Sequence, residues 1–292
     1  MRIALATCSS LPDWEVDDRP LHAALDARGV EVLHPPWDDP AFDWASCDAC
    51  LIRTTWDYME RRDEYVAWAD RVASMTRLFN PAGVVRWNTH KSYLRDLESS
   101  GVPITPSVWL EQGTTVDVAA VLYERGWGRA FLKPVIGATA RETLRFIADD
   151  EGLAKASAHL SRMLASEAMI LQPYLSSVEL EGEYSVIMID GELTHAVRKI
   201  PVPGDYRVQD DFGARDEPAG MDEEAVKICE RILGGIDGDL LYARMDFLRD
   251  DEGALRLSEL EVVEPSLFFR HCATAADRLA AGLYRRVRGE DG

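Results

Sequence analysis

The segment that most restricts how this chain can fold lies near its C-terminus, where two stretches alternate apolar and charged residues. The first reads Tyr242-Ala243-Arg244-Met245-Asp246-Phe247-Leu248, and the second Leu257-Ser258-Glu259-Leu260-Glu261-Val262-Val263-Glu264-Pro265. Successive side chains of a strand point to opposite faces, so Arg244 and Asp246 share one face, as do Glu259 and Glu261. Between them, Asp250-Asp251-Glu252-Gly253 has turn chemistry. An antiparallel hairpin is predicted that brings the charged faces together. Three carboxylates on adjacent strands repel one another unless a cation sits among them. An all-oxygen donor set suits a hard divalent ion, and carboxylates completed by substrate phosphates describe magnesium rather than zinc. The other reading of the pattern is a solvated acidic face backed by a buried apolar one.

Upstream, the first lobe alternates strand and helix. Apolar runs at 3–6, 30–33 and 49–52 are interleaved with helical spacing at 19–28 and 61–77, the latter with Tyr65, Val66, Trp68, Ala69, Val72 and Ala73 on one stripe. That order predicts a small parallel sheet faced by helices. No G-x-G-x-x-G follows its first strand, so a dinucleotide fingerprint is missing. A helix is expected at 89–100, then extended segments at 104–110, 130–133, 143–147 and 169–172, with helices at 116–125 and 151–165. Beyond Glu183 the pattern turns antiparallel: 185–189 and 193–200 flank Asp190-Gly191, a hairpin signal. A helix at 222–233, the strand pair at 241–248 and 254–263 and a helix at 273–288 complete an α/β and α+β chain. Three lobes are expected, at 1–88, 89–175 and 176–292.

With 51 Asp plus Glu against 32 Lys plus Arg, the chain carries a formal charge of −19. Such a field repels phosphate backbones and anionic lipid, so neither nucleic acid nor a membrane is the expected partner. Basic residues in chosen places therefore carry information. Lys133 ends the apolar strand Ala130-Phe131-Leu132-Lys133-Pro134, and Lys91 stands at the start of the 89–100 helix, where a cation is disfavoured. Each is either a plain surface lysine or the partner of an anion such as phosphate. The loop Val135-Ile136-Gly137-Ala138-Thr139-Ala140-Arg141 is not a Walker A sequence.

Leu171-Gln172-Pro173-Tyr174-Leu175, followed by Glu179 and Glu183, reads either as backbone able to meet an adenine edge, with acids for ribose hydroxyls, or as a connector. Arg53-Thr54-Thr55-Trp56-Asp57-Tyr58 follows the third strand, where parallel sheets present ligand loops; the alternative is a turn held by Trp56 and Tyr58 packing. Five scattered cysteines suggest a reducing compartment, and the Cys47/Cys50 pair runs into a strand and reads as buried thiols. No run approaches membrane-spanning length and the N-terminal apolar run is too short for a signal peptide, so a cytoplasmic protein is expected.

Taken together and in this order, the segments resemble the ATP-grasp superfamily, over nearly the whole chain. The resemblance implies an ATP-grasp fold with an N-terminal Rossmann-like lobe and ATP held between the central and C-terminal lobes. It implies two Mg²⁺ ions on Asp246, Glu259 and Glu261, with Arg244 and Lys199 as catalytic cations. ATP would meet Lys91, Lys133, Gln172, Tyr174, Leu175, Glu179, Glu183 and Lys199. Arg207, Gln209 and Arg244 would meet the second substrate. Two departures stand out: the loop after Lys133 has one glycine where many members have two or three, and Glu261 replaces the commoner Asn. Within the superfamily, the N-terminal segments Glu15-Val16-Asp17-Asp18 and 53–58 are similar to those of ring-closing, cycloserine-forming ligases. That adds Arg53, Thr54 and Asp57 as substrate contacts and an O-ureidoserine-like amino acid as the substrate. The rival expectations are a carboxylate–amine ligase of the glutathione synthetase kind, a kinase of similar fold and a non-catalytic nucleotide-binding module. Self-association into a homo-oligomer stays open.

Overall fold

The computed structural model describes residues 1–11 and 15–290. Strands β1 (Arg2–Thr7), β2 (Glu31–Leu33), β3 (Ala49–Thr54) and β4 (Arg77–Phe79) form a parallel sheet in the order β2-β1-β3-β4. Helices α1 (Arg19–Asp26) and α2 (Arg62–Met75) cover it. All of β3 is buried, as a strand covered on both faces must be. Helix α2 turns Tyr65, Trp68, Ala69 and Val72 into a core with Trp37 and Trp44. Its buried stripe is narrower than expected, because Ala73 is exposed and Val66 half-buried. The helix also stops short of Arg77, which leaves as β4, a three-residue strand too brief for periodicity to reveal.

A separate helix, α3 (Ala82–Asn88), lies outside the span 89–100 expected to be helical, and the expected helix starts later, as α4 (Tyr93–Ser99). The break lies at Lys91, whose backbone N–H donates to the Val135 carbonyl (2.8 Å) instead of to a carbonyl one turn back. Lys91 therefore precedes α4 rather than opening it.

The second sheet comprises β5 (Val108–Leu110), β6 (Arg129–Pro134), β7 (Leu144–Ile147) and β8 (Met169–Pro173), antiparallel in the order β5-β8-β6-β7. Of the extended run expected at 104–110, the strand occupies the last three residues, and Ile104 makes an isolated bridge to Leu257. Helices α5 (Val118–Arg125) and α6 (Asp150–Met163) pack on this sheet. Each is capped by an aspartate: Asp117 accepts from the Ala120 N–H (3.0 Å) and Asp149 from the Gly152 N–H (2.8 Å).

The third sheet is antiparallel: β9 (Glu183–Ile189), β10 (Glu192–Ile200), β11 (Arg215–Ala219), β12 (Tyr242–Arg249) and β13 (Leu255–Glu261), in the order β11-β10-β9-β12-β13. Strand β11 reads Arg215-Asp216-Glu217-Pro218-Ala219, without apolar alternation, because it is an edge strand, where proline is tolerated. The Asp190-Gly191 turn has φ of 53° and 77° at its two residues, the geometry of a tight hairpin. This turn lies against the closing helix: helices α7 (Ser177–Leu180), α8 (Glu223–Gly234) and α9 (Ala273–Arg288) complete the chain, and Arg285 and Arg286 of α9 ion-pair with Asp190. A Cβ on Gly282 would fall 2.7 Å from the Asp190 side chain, so no larger residue fits there.

Strand β13 is the other edge, and side chains from the α3–α4 region cover it. Asn88 donates to the Leu260 carbonyl (2.8 Å) and accepts from the Val262 N–H (3.1 Å), while the Tyr93 hydroxyl accepts from the Leu260 N–H (3.0 Å). These bonds stand in for a neighbouring strand and hide an edge that would otherwise invite pairing. Asn80 ties in β12 as well, donating to the carbonyls of Tyr242 (2.9 Å) and Val262 (2.8 Å). A single core of Ile3, Leu5, Phe79, Ile187, Leu279 and Leu283 joins the first sheet to the third. All five cysteines are free thiols, and burial pushes Cys47 and Cys50 above the usual thiol range.

Candidate active site

The hairpin register pairs Arg244 with Glu261 and Asp246 with Glu259 across β12 and β13. On the other side of β12, Asp246 pairs with Ser185 of β9, and Glu183 of β9 pairs with Lys199 of β10. Four adjacent strands thus present one charged face. Arg244 Nε and Nη2 each approach Asp246 at 3.0 Å, Nη2 also bonds Glu261, and Nη1 donates to the Ser266 carbonyl (3.2 Å). Lys199 reaches Glu183 (2.5 Å) and Asp246 (3.2 Å). From the second sheet and the α3–α4 connection, Lys133 donates to the Ser258 carbonyl (3.3 Å) and Lys91 bonds Glu259.

Charge balance on this face is uneven. Burial alone would raise Asp246 and Glu259, but Arg244 and Lys199 hold the first below the usual carboxylate range, and Lys91 and Lys133 do the same for the second. Burial dominates at Glu261, raised to about 7, and at Glu264, raised to about 8 with Glu261 and Glu259 as like-charged neighbours. Burial and nearby Lys91 lower Lys133 to about 8. The carboxylates are short of countercharge.

This face floors a cleft of about 330 Å³, within the size range of small-ligand pockets. Lys91, Lys133, Gln172, Tyr174, Leu175, Glu183, Lys199, Arg207, Gln209, Arg244, Asp246, Glu259 and Glu261 all line it. Gln172 donates to Ser107 Oγ (2.9 Å), which orients its amide. The loop with Gly137, Ala138, Thr139 and Ala140 forms another wall, with Thr139 and Ala140 at positive φ. Arg207 is held by Asp205 (2.6 Å) and lies over the Phe212 ring, and the Gln209 amide oxygen is buried with no donor among the described residues.

Four expected contacts fall outside the wall. Glu179 is taken by Arg145 (2.7 Å) and the Tyr174 hydroxyl. Arg53, 2 % exposed, makes a two-point bond to Asp18 (2.9 and 2.8 Å) and donates to the Pro265 carbonyl (3.1 Å). Thr54 bonds Thr7 (2.7 Å), and Asp57 accepts from the Trp37 indole (2.7 Å). From this segment Trp56 and Tyr58 line the cleft instead, with Trp56 Nε1 donating to the Glu264 carbonyl (3.0 Å). Sequence reasoning missed Glu264, Ser266, Phe268 and Arg270, which share that end of the cleft. The available signal was an acid, Glu264, closing the otherwise apolar run Val262-Val263.

Among the described residues, no three His, Cys, Asp or Glu converge closely enough to hold a metal unaided. Asp246, Glu259 and Glu261 are turned onto Arg244, Lys199 and Lys91 instead. An all-oxygen set of carboxylate donors fits magnesium, which binds through one or two carboxylates and completes its shell with phosphates and water. Among the described residues, no helix is long and apolar enough to cross a membrane.

The D-cycloserine synthetase DcsG N-terminal domain family matches residues 3–80, and the prokaryotic glutathione synthetase ATP-grasp domain family matches residues 114–269. The chain is 33% identical to the cycloserine biosynthesis protein DcsG of Streptomyces lavendulae, covering 98% of this chain and 99% of that protein. A crystal structure of D-cycloserine synthetase DcsG superposes with a TM-score of 0.88 at 29% identity, over 98% of this chain and 100% of the other. D-alanyl-alanine synthetase A of Vibrio cholerae shares the fold at a TM-score of 0.71 and 15% identity, over 99% of this chain and 98% of its own.

Proposed function

The chain belongs to the ATP-grasp ligases, in the family that includes D-cycloserine synthetase DcsG, and from that membership we propose that it closes an O-ureidoserine-like amino acid to cycloserine. It is an ATP-dependent ligase. The observation that carries the site assignment is the register of Arg244 with Glu261 and Asp246 with Glu259, facing Lys91, Lys133 and Lys199 across one cleft.

In this reading, residues 89–175 and 176–292 enclose the nucleotide and residues 1–88 form the substrate side. Gln172, Tyr174 and Leu175 bracket the base, Glu183 takes the ribose, and Lys91, Lys133 and Lys199 meet the phosphates. Glu179, behind Tyr174, orients that ring through its hydroxyl. Asp246, Glu259 and Glu261 would hold magnesium, two ions if each of the paired acids shares one. Magnesium held there would supply neutralisation of the phosphates' negative charge.

A substrate carboxylate oxygen attacks the γ-phosphorus as the bond to the β-phosphate oxygen breaks, giving ADP and an acyl phosphate. The ureido-side nitrogen, the one bonded to oxygen, then attacks the acyl carbon, the C–O bond to phosphate breaks, and the nitrogen's proton leaves with the phosphate. The ring nitrogen still carries the carbamoyl group, and water must cleave that bond, releasing carbamate that breaks down to ammonia and carbon dioxide, before cycloserine is formed. Arg244, fixed by Asp246, Glu261 and Ser266, is preorganised to stabilise the charge that develops at the carboxyl oxygens. The loop at Gly137–Ala140 excludes water that would hydrolyse the intermediate. Arg207 and Gln209 face the same space, and the unpaired Gln209 oxygen can accept an N–H from the substrate.

The test is ADP and phosphate release from Mg-ATP with O-ureidoserine and a panel of amino acids, each with and without added amines. Stoichiometric ADP and phosphate from O-ureidoserine alone supports ring closure. Release that requires a separate amine replaces it with an intermolecular ligase, and ADP without phosphate replaces it with a kinase.

A further inference from the structure

One group in the cleft has no task in the chemistry above. Glu264 is 8 % exposed and lines the cleft, yet among the described residues its carboxylate makes no ion pair or hydrogen bond; its one bond uses the backbone carbonyl, which accepts from Trp56. Each neighbouring acid already has a cation: Asp246 has Arg244 and Lys199, Glu259 has Lys91, Glu261 has Arg244, and Asp17 has Arg270. A carboxylate withdrawn from water without a partner is costly, so the unliganded group keeps its proton, and its charged form is stabilised only by a ligand that brings donors. A cationic donor does this best, because it also offsets the like-charged Glu261 and Glu259 nearby. Trp56 and Tyr58 line the same stretch of wall, and aromatic side chains beside a carboxylate favour an ammonium group.

Resting on the ligase reading, we propose that Glu264, walled by Trp56 and Tyr58, is the subsite for the substrate's ammonium group, and that it restricts the enzyme to carboxylic acids bearing a free amine. Arg244, which would face the reacting carboxylate, lines the same cleft as Glu264 and donates to the carbonyl of Ser266, two residues beyond it. The same device gives specificity: a substrate without the amine leaves Glu264 buried and unpaired, and is rejected.

The test measures, by calorimetry on the Mg-AMPPNP-loaded protein, binding of O-ureido-D-serine, serine and alanine against analogues with hydrogen in place of the amine. The wild type should prefer at least one free amine over its partner by about 30-fold or more. Glu264→Gln should abolish that preference while keeping Mg-AMPPNP affinity and a melting temperature no lower than wild type. Retention of the preference in Glu264→Gln overturns the subsite, as does a loss confined to nucleotide affinity or the lack of any amine preference in the wild type. ADP release is read separately. Equal release from amino and des-amino acids leaves the ligase reading intact and sinks the subsite. An amine preference without ADP release from any carboxylate does the reverse.

Discussion

Lys199 stands directly opposite Glu183 across β9 and β10, and its ammonium touches both Glu183 (2.5 Å) and Asp246 (3.2 Å). Burial would lower its pKa, but Asp246 and Glu183 outweigh that and raise it, so it stays charged throughout the physiological range. One cation thus serves two buried acids on neighbouring strands. Lys199→Met removes it from both, and breaking a buried pair on one side costs about 3–5 kcal/mol. A lower unfolding midpoint in denaturant titration is expected, with ADP release reduced at least about a hundredfold. A stable variant of normal activity would remove Lys199 from the site.

Asp246→Asn and Glu259→Gln probe the metal assignment. Both preserve shape while deleting a negative charge on the face that would hold magnesium. ADP release should fall by about a thousandfold or more, with an unchanged circular dichroism spectrum. The Mg²⁺ concentration for half-maximal nucleotide binding should rise. Full ADP release from either variant would end the assignment.

The pH dependence of stability follows from Glu261 and Glu264. Both have folded-state values raised above the unfolded value near 4.5, to about 7 and about 8, so the folded protein holds protons that the unfolded chain has released. Their contribution is fully present below about pH 4.5 and is lost as pH rises through 7 and 8. His22, lowered to about 4 by burial and by His34, changes stability below pH 6.5, and Lys133 acts above about 8. Between pH 6.5 and 8 the unfolding free energy of the unliganded protein should therefore fall by an amount on the order of 2 kcal/mol. Urea titrations at the two pH values measure it. Glu264→Gln should flatten most of the slope, and saturating Mg-ATP should reduce it.

Arg53 is expected to act through the fold. Its guanidinium binds Asp18 at two points and holds the Pro265 carbonyl, next to Glu264. Arg53→Ala strands a buried Asp18 and should cost about 3–5 kcal/mol, whereas Arg53→Leu with Asp18→Leu should recover most of that loss. Thermal melts of the three proteins decide the matter. If Arg53→Ala keeps the wild-type melting temperature and raises KM instead, Arg53 is a substrate contact after all.

Elements whose sequences carry their own periodicity were readable. The β12–β13 hairpin, the Asp190-Gly191 turn and the 273–288 helix rest on local patterns. The register that pairs Asp246 with Glu259 was not readable, because it depends on a shift between Asp246 and Phe247, the latter pairing with Leu257. What escaped depends on distant partners. The break at Lys91 exists because Val135, far along the chain, takes its N–H. Strand β11 is an edge with no apolar face of its own to display. Arg53 looked like a ligand contact because a buried arginine at a strand end is legible, while its aspartate partner, 35 residues earlier, is not. Glu264 was overlooked for the opposite reason: what distinguishes it is a missing partner, and a sequence does not display that.

The contact between the Asp190 turn and α9 bears on the order in which the site assembles. The hairpin that aligns Glu183 with Lys199 is fastened at its tip by Arg285 and Arg286, with Gly282 leaving room for the turn. Those two arginines lie 95 and 96 residues along the chain from Asp190, whereas β9 and β10 pair through a two-residue turn. Contacts that close a long loop cost more chain entropy before they are rewarded than local ones do. The two strands can therefore pair early, and the clasp that holds their turn closes late in folding.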